Sequence, residues 1–500
     1  MSQWAEGDAL TPTNLNTKSL SVFSTNFSVF NVKDYGALGA GADSDTTIVR
    51  TVASVATGSI LFFPAGAYVL STISLQPNTT VQCASGATLL AASGASQVFW
   101  AAANNHFVDT TFSCNSLHRA GQIVFANLVN DVYITNCRIV ASGGRGFDLN
   151  NGRDFHIMGC SVSSCSDIGI VIGAAAQHIT VAASSFSNCL HGVEFFGSSA
   201  LSAEGVATFV QDMAITGCTA ENIRGAAFWG SRGRRITVTG CSVKSCADIG
   251  IDFEGVHSGA ITGNVVQGGT NAGISLFYDC QDVTIAGNSV LIDGTGSGNS
   301  YGIWLTAQGV DRGYHRNIAI TDNTVRNSFT TAQIIDAVRA DIDAAHQLNI
   351  VGNTIEDSRI YVRQGGRFVS IRDNYQQLSS MGTVMNAIVC EGLGDYDVTN
   401  NTIIKDGDSG TTRSHSAIYT IYSSSSQSNQ FYSITGNRIR GYAHSIADEA
   451  AGIGRSFAMI KDNLVSGPIY RTGTGTLWQG QIISNFSSQN PANAITETTY

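Results

Sequence analysis

The chain has 500 residues, 43% hydrophobic and 13% charged, with a formal net charge of −10. It holds no dense Lys/Arg block, so the concentrated basic face that a nucleic-acid ligand needs is not available. No run approaches the ~18 apolar residues of a membrane span. Length alone suggests about three domains, but a solenoid escapes that expectation because each repeat packs only on its neighbours. The 54 Gly and 5 Pro suit a coil of short strands joined by many tight corners.

Residues 1–30 read as a polar leader. They lack a basic start followed by an apolar core, so a secretory signal peptide of the usual kind is not expected. The eleven cysteines are then expected as reduced thiols. Residues 45–57, DTTIVRTVASVAT, place Ile48, Val49, Val52, Val55 and Ala56 at helical spacing. Asp45 is the expected N-cap and Gly58 the stop. An open solenoid end exposes unpaired strand groups, and this helix is expected to cover them. The segments SILFFPAGAYVLST and TTVQCASGATLLA follow as the first coils.

From residue 134 one unit recurs: a β-branched run, then Asn or Cys, one residue, then Val or Ile. It appears as ITNCRI, IMGCSV, VTGCSV, ITGNVV and IAGNSV, and later as ITDNTV, IVGNTI, VTNNTI, ITGNRI and IKDNLV. The spacing from Cys137 to Cys160, from Cys218 to Cys241 and from Cys241 to Asn264 is 23 residues. Later gaps stretch to between 21 and 36, which reads as loops inserted at corners. A period near 23 with three short β runs is one turn of a parallel β-helix, since the Leu/Asn framework of a leucine-rich repeat is missing. Coils stack about 4.8 Å apart, so equivalent residues form ladders. Asn in the recurrent slot can bond the backbone at a tight corner, and Cys is a small buryable substitute. The reading is therefore ladder cysteines, with no metal set at zinc spacing and no cofactor.

The position eleven residues past the slot is expected to face outward, since strands alternate. Phe147 and Leu149, Val193 and Phe195, and Ile251 and Phe253 then face the core. The outward column reads Asp148, Val171, Glu194, Trp229, Asp252, Ser275. A parallel column two residues on holds Asn150, Phe196, Ser231, Glu254 and Phe277. Carboxylates beside aromatics suit a sugar chain, whose apolar faces stack on rings. Asp252 and Glu254, about 6.5–7 Å apart on one strand, are the first catalytic candidates and Glu194 the third. That separation fits inverting better than retaining glycosidases. Asp148, Trp229, Arg232, His257, Phe277, Tyr278 and Trp304 are the substrate-binding candidates. A lyase needs a base and a charge neutraliser, for which Arg232, Arg234, Arg235, His257 and Tyr278 are at hand. Trp304, Arg312, His315 and Arg316 are read as a long loop, with His315 a loop residue. Tyr361, Arg363 and Arg367 form a further polar outward set. Residues 467–500 read as a small C-terminal cap or trimer contact.

FNVKDYGALGAGADSDTT, a helix, then ILFFPAGAYVLS resembles the opening of the pectate-lyase-superfamily β-helix module, over about residues 30–90. That resemblance implies an all-β fold, a right-handed single-stranded parallel β-helix over 31–466. It does not fix the chemistry, because one scaffold hosts many reactions. WAEGDALTPTNLNTK is similar to segments near the N-termini of phage tail fibres and tailspikes, where it accompanies attachment to the virion. This second resemblance implies a homotrimer on a virion tail, acting outside the cell on a bacterial surface polysaccharide. The reading that follows is a tailspike depolymerase, a glycoside hydrolase before a polysaccharide lyase. A lyase or uronan epimerase outside a phage, or a spike that only holds glycan, are the alternatives.

Overall fold

The computed structural model describes residues 28–114, 121–197, 209–293, 300–306, 315–328, 335–341, 345–363, 366–379, 386–392, 394–406, 416–421, 430–449, 456–467, 469–471, 479–483 and 486–487. The leader up to residue 27, Arg312, most of 467–500 and most of the insertion at 198–211 lie outside them.

Two compact units are present, Met1–Asp167 and Ile168–Tyr500. Each is a right-handed parallel β-helix in which successive turns add strands to three parallel sheets, named A, B and C in chain order. In the first unit one turn supplies Asn130–Thr135, Arg138–Ile139 and Arg145–Asn150. In the second unit a turn supplies His257–Thr262, Val265–Gly269 and Ala272–Phe277. The strands are short, β-branched and aromatic, the composition that fits a pleated, half-buried surface. Phe147, Leu149, Val193, Phe195, Ile251 and Phe253 are all fully buried, as the alternation predicts.

The slot between sheets A and B is an asparagine ladder. Asn264, Asn288, Asn323, Asn353, Asn374, Asn401, Asn437 and Asn463 are at most 1% exposed. Asn323 shows the pattern. Its Nδ2 donates to the Ile285 carbonyl and to Asn353 Oδ1, while its Oδ1 accepts from Asn288 N and Nδ2. Each amide thus satisfies backbone groups that a tight corner would otherwise leave unpaired. Cys241 precedes this run, with its N–H donating 2.8 Å to Asn264 Oδ1. All eleven cysteines are buried.

The residue before the slot takes the left-handed conformation, for example Asn136, Gly240, Gly263, Asp322, Asp373 and Gly436. Gly, Asn and Asp tolerate that backbone best; Ala183, with φ of 48°, is an exception.

In the first unit an α-helix runs over Thr46–Ala53, shorter than expected. Its buried residues Val49, Val52 and Ala53 belong to a face that packs against the turn Val32–Tyr35 and the strands Gly66–Leu70 and Ile73–Ser74. Asp45 precedes it but does not cap it with its side chain. Its carboxylate instead accepts from the backbone N–H groups of Leu38, at 2.7 Å, and Gly39, at 3.1 Å. The carboxylate therefore ties down the preceding loop.

Candidate functional site

Sheet C of the second unit builds the outward column in register. Val171 pairs with Glu194 and Glu194 with Trp229. Trp229 pairs with Asp252, Asp252 with Ser275, and Ser275 with Trp304. The neighbouring column runs Phe196, Ser231, Glu254, Phe277, Thr306. Glu194 therefore lies two coils from Asp252, about 9–10 Å in backbone terms, with Trp229 between them.

One glycine sets the backbone beneath Trp229. Gly230 lies between Phe195 and Phe253 in register. A Cβ there would meet the Phe195 ring at 2.2 Å. The missing side chain lets those two rings, two coils apart, meet edge to face at 5.9 Å.

The column is not an open, solvated strip, which corrects the expectation. Asp252 is 4% exposed, Glu194 8% and Ser275 0%. Aromatic side chains stand beside the column. Trp229, Phe277, Tyr301 and Trp304 pack on a small buried cluster of Ala226, Ile249 and Ala272. Trp304 meets Phe277 edge to face at 5.2 Å and Tyr301 at a tilt at 5.1 Å. Its indole N–H donates 2.8 Å to Asp341, which fixes the ring. His191 stacks on Trp229 at 5.0 Å.

Asp252 and Glu254 sit in different surroundings. Burial, then the charge of Glu254, pushes the Asp252 carboxyl well above the usual carboxylate range, against a hydrogen bond from Ser275. That hydrogen bond is 2.5 Å, from Ser275 Oγ to Asp252 Oδ1. An apolar setting and a neighbouring acidic group both favour the neutral form of a carboxyl. Glu254 is half-buried and accepts a 2.8 Å hydrogen bond from the Tyr278 hydroxyl. The same hydroxyl lies 3.1 Å from Ser231 Oγ.

The basic candidates separate at the corner that follows sheet C. Arg232 sits there in the left-handed region, with φ of 55°; its backbone N–H donates 2.8 Å to the Glu254 carbonyl. Tyr278 turns toward Glu254, whereas His257 belongs to sheet A, paired with Arg234 and Gln281. His257 lies 3.5 Å from Asp279 and 5.3 Å from the Phe209 ring. Burial works against the charge on Asp279, but hydrogen bonds from His257 and Gln281 outweigh it and hold its carboxyl below the usual range. Arg235 is bound to Asp212 at 2.5 Å, and Arg234 lies over the Phe209 ring at 5.0 Å.

Asp148 belongs to the first unit and is 3% exposed. Its oxygens take Arg145, at 2.9 Å, and Asn150, at 2.5 Å, so its carboxylate is engaged in a local ion pair.

Two loop expectations are corrected. Trp304 is in the sheet C strand Tyr301–Thr306 and His315 begins the sheet A strand His315–Thr321. His315 is fully buried. Its Nδ1 accepts from the Cys280 N–H at 3.2 Å, and its Nε2 meets the Thr306 carbonyl at 3.1 Å. The slot it fills is occupied by Cys280 one coil earlier, so it is a ladder residue.

Tyr361 lies in the Trp304 column, after Arg339. Arg339 and Arg359 sit 4.0 Å and 4.5 Å from its ring centre. Both arginines pair with the buried Asp336, and the Tyr361 hydroxyl donates to Glu391. Arg363 lies 3.7 Å from Glu391. Sequence reasoning missed Asp336, Arg339, Asp341 and Glu391. The slot-plus-eleven rule fails there because corner insertions change the spacing.

Among the described residues no group of three or more His, Cys, Asp or Glu is arranged to hold a metal ion. No described helix is long and apolar enough to cross a membrane.

Residues 29–252 match the family model described as rhamnogalacturonase A/epimerase, pectate lyase-like. Residues 201–376 match that of the right-handed β-helix region. No curated protein sequence matches the chain. Among solved structures, the chain is similar to the N-terminal fragment of gene product 12 of bacteriophage phi29. That likeness has 12% identity and a TM-score of 0.57 and covers 97% of this chain and 98% of that one. It is also similar to the A-module of mannuronan C-5 epimerase AlgE6 from Azotobacter vinelandii, with 15% identity and a TM-score of 0.52, covering 79% of this chain and 100% of that one. The AlgE4 A-module from the same organism has 16% identity and a TM-score of 0.52, with 72% and 97% covered. These likenesses establish a right-handed parallel β-helix fold.

Proposed function

We propose that the chain is a polysaccharide-cleaving β-helix protein whose reaction is glycoside hydrolysis on sheet C of the second unit. The observation that carries this reading is the divided carboxyl pair. Asp252 is buried with its carboxyl raised, and Glu254 stands two residues on, held by Tyr278. Pairs of titratable groups pushed apart by their surroundings mark acid and base assignments.

Asp252 then gives its proton to the glycosidic oxygen as the C–O bond breaks. Glu254 takes a proton from the water whose oxygen attacks the anomeric carbon. A strand spacing of about 6.5–7 Å leaves room for that water, and the product is inverted. Trp229, Phe277 and Trp304 supply ring faces for pyranose stacking, and Glu194 and Arg232 extend the binding surface to either side.

The phage setting belongs to the same proposal. It rests on the resemblance of residues 4–18 to tail-fibre and tailspike segments, and it brings a homotrimer, a virion-tail location and a bacterial surface polysaccharide as substrate. The fold likeness to the phi29 fragment agrees with that setting without establishing it.

Elimination is the second reading, because Tyr278 and Arg232 meet at the same corner as Glu254. The test is incubation of the purified protein with capsule or lipopolysaccharide extracted from candidate hosts. New reducing ends without the ultraviolet absorbance of an unsaturated uronate support hydrolysis. Growth of that absorbance replaces hydrolysis with elimination. Binding without either product leaves a glycan-holding spike.

A further inference from the structure

Sheet A of the second unit carries a cavity of about 680 Å³ that the proposed reaction does not use. Two exposed phenyl rings lie on it, Phe368 at 63% and Phe431 at 43% exposure. A register shift puts Phe368 opposite Asp395: Gly366 pairs with Gly394 and Val369 with Tyr396, so the strand bulges between them. Asp395 in turn pairs with Phe431. The result is a column of ring, carboxylate and ring, with the two rings two coils apart, about 9–10 Å. Beside it runs a polar column in register, Asn349, Ser370, Asp397 and Ser433. Ser370 Oγ is buried and makes no hydrogen bond.

Phe368 is also conformationally expensive. Its φ is 62°, a region in which a bulky residue is an outlier. Earlier strands of the sheet put His178, Asp212, Arg235, Ser258, Asp282, Asn317 and Gln347 in that conformation, so the bend recurs from coil to coil and Phe368 is its one phenyl ring among these. A phenyl ring held there with 63% of its surface exposed buries little apolar area for the fold.

We propose that this face is a binding groove for a neutral polysaccharide, separate from the site on sheet C. The rings stack on the C–H faces of pyranoses, and Asp395, Asp397 and Asn349 take their hydroxyl protons. Two carboxylates, and no Lys or Arg among the described lining residues, disfavour uronate, sulfate or phosphate chains. On a chain-cutting protein such a groove keeps the polymer attached between cuts.

The test uses the full chain carrying Trp229→Ala and Glu254→Gln, which disables sheet C. It is applied to an array of neutral and uronate-containing bacterial polysaccharides. Retention of neutral glycans is expected, weakened at least tenfold by Phe368→Ala with Phe431→Ala and kept by Phe368→Tyr with Phe431→Tyr. Retention indifferent to the rings, retention of only acidic glycans, or no retention at all overturns the proposal. So does a change in sedimentation on ring removal without a change in glycan binding, which makes the face a contact between copies. Cleavage by the otherwise native protein reads the sheet C reaction independently.

Discussion

The Tyr278 hydroxyl donates a 2.8 Å hydrogen bond to Glu254 from the next coil of the second unit and lies 3.1 Å from Ser231 Oγ. The ring therefore positions the carboxylate assigned as base. Tyr278→Phe removes that hydrogen bond while keeping the ring. A hydrogen bond to a charged group is worth about 1.5–3 kcal/mol, so kcat is expected to fall roughly 10- to 100-fold, with KM little changed. A KM rise at constant kcat would instead make Tyr278 a binding residue. If Tyr278 is the base of an elimination, Tyr278→Phe abolishes turnover altogether.

Asp252→Asn and Glu254→Gln are each expected to lower turnover by at least ~100-fold, the lower end of what general acid–base catalysis contributes. Their stability effects differ. Burial raises the Asp252 carboxyl above its unfolded value, so the fold binds this proton more tightly than the unfolded chain does. The associated stability is fully present below the unfolded pKa, about 3.9, and is lost as pH rises through the folded value. The asparagine variant lacks this loss. Its Tm should gain on the native protein as pH is raised from about 4 to 8. A Tm difference that stays constant across that range would show that Asp252 is not held neutral in the fold.

The repeat was legible because its physics is local. A β-branched run needs a turn, the turn needs an amide at its corner, and coil stacking converts that amide into the ladder from Asn264 to Asn463. Residues such as Gly263 and Asp322 carried the same message one position earlier, through the left-handed backbone they permit. The Asp252 and Glu254 columns followed from counting residues within one coil. What the count does not contain is the aromatic packing. Tyr301 and Trp304 come from the coil beyond the Asn288 slot, and their packing on Ala226, Ile249 and Ala272 is a contact between coils. His315 was hidden for a similar reason: a long corner insertion preceded it, and nothing local marked its equivalence with Cys280. His257, three positions after Glu254, lies around a corner on another sheet, a turn that counting along one strand does not contain.

The ladder gives a stability prediction. Asn323→Ala removes an acceptor shared by Asn288 N and Nδ2 and a donor to Ile285 and Asn353. Leaving buried groups unpaired costs about 1–3 kcal/mol each. A loss of about 3 kcal/mol or more in chemical denaturation is expected, with glycan cleavage by the surviving folded protein unchanged. A loss below about 1 kcal/mol would mean that the corner relaxes and that Asn323 is dispensable.

His315 supplies the opposite pH dependence from Asp252. Burial holds its imidazole at about 4, below the ordinary 6.5, so the fold contains the neutral ring. Since Nδ1 accepts from Cys280, Nε2 carries the proton and donates to the Thr306 carbonyl. Protonating Nδ1 breaks the first of these bonds and leaves a cation buried, so the folded state resists it. The stability is fully present above pH 6.5 and is lost as pH falls through about 4. A shift of this size corresponds to about 3 kcal/mol between the two limits. His315→Gln cannot titrate, so it is expected to be less stable than the native protein at pH 7 and to close much of that gap by pH 4. Denaturant midpoints of both proteins across this range give the answer. Parallel profiles would exclude His315 as the titrating group and shift the acid sensitivity to the carboxylates of the second unit.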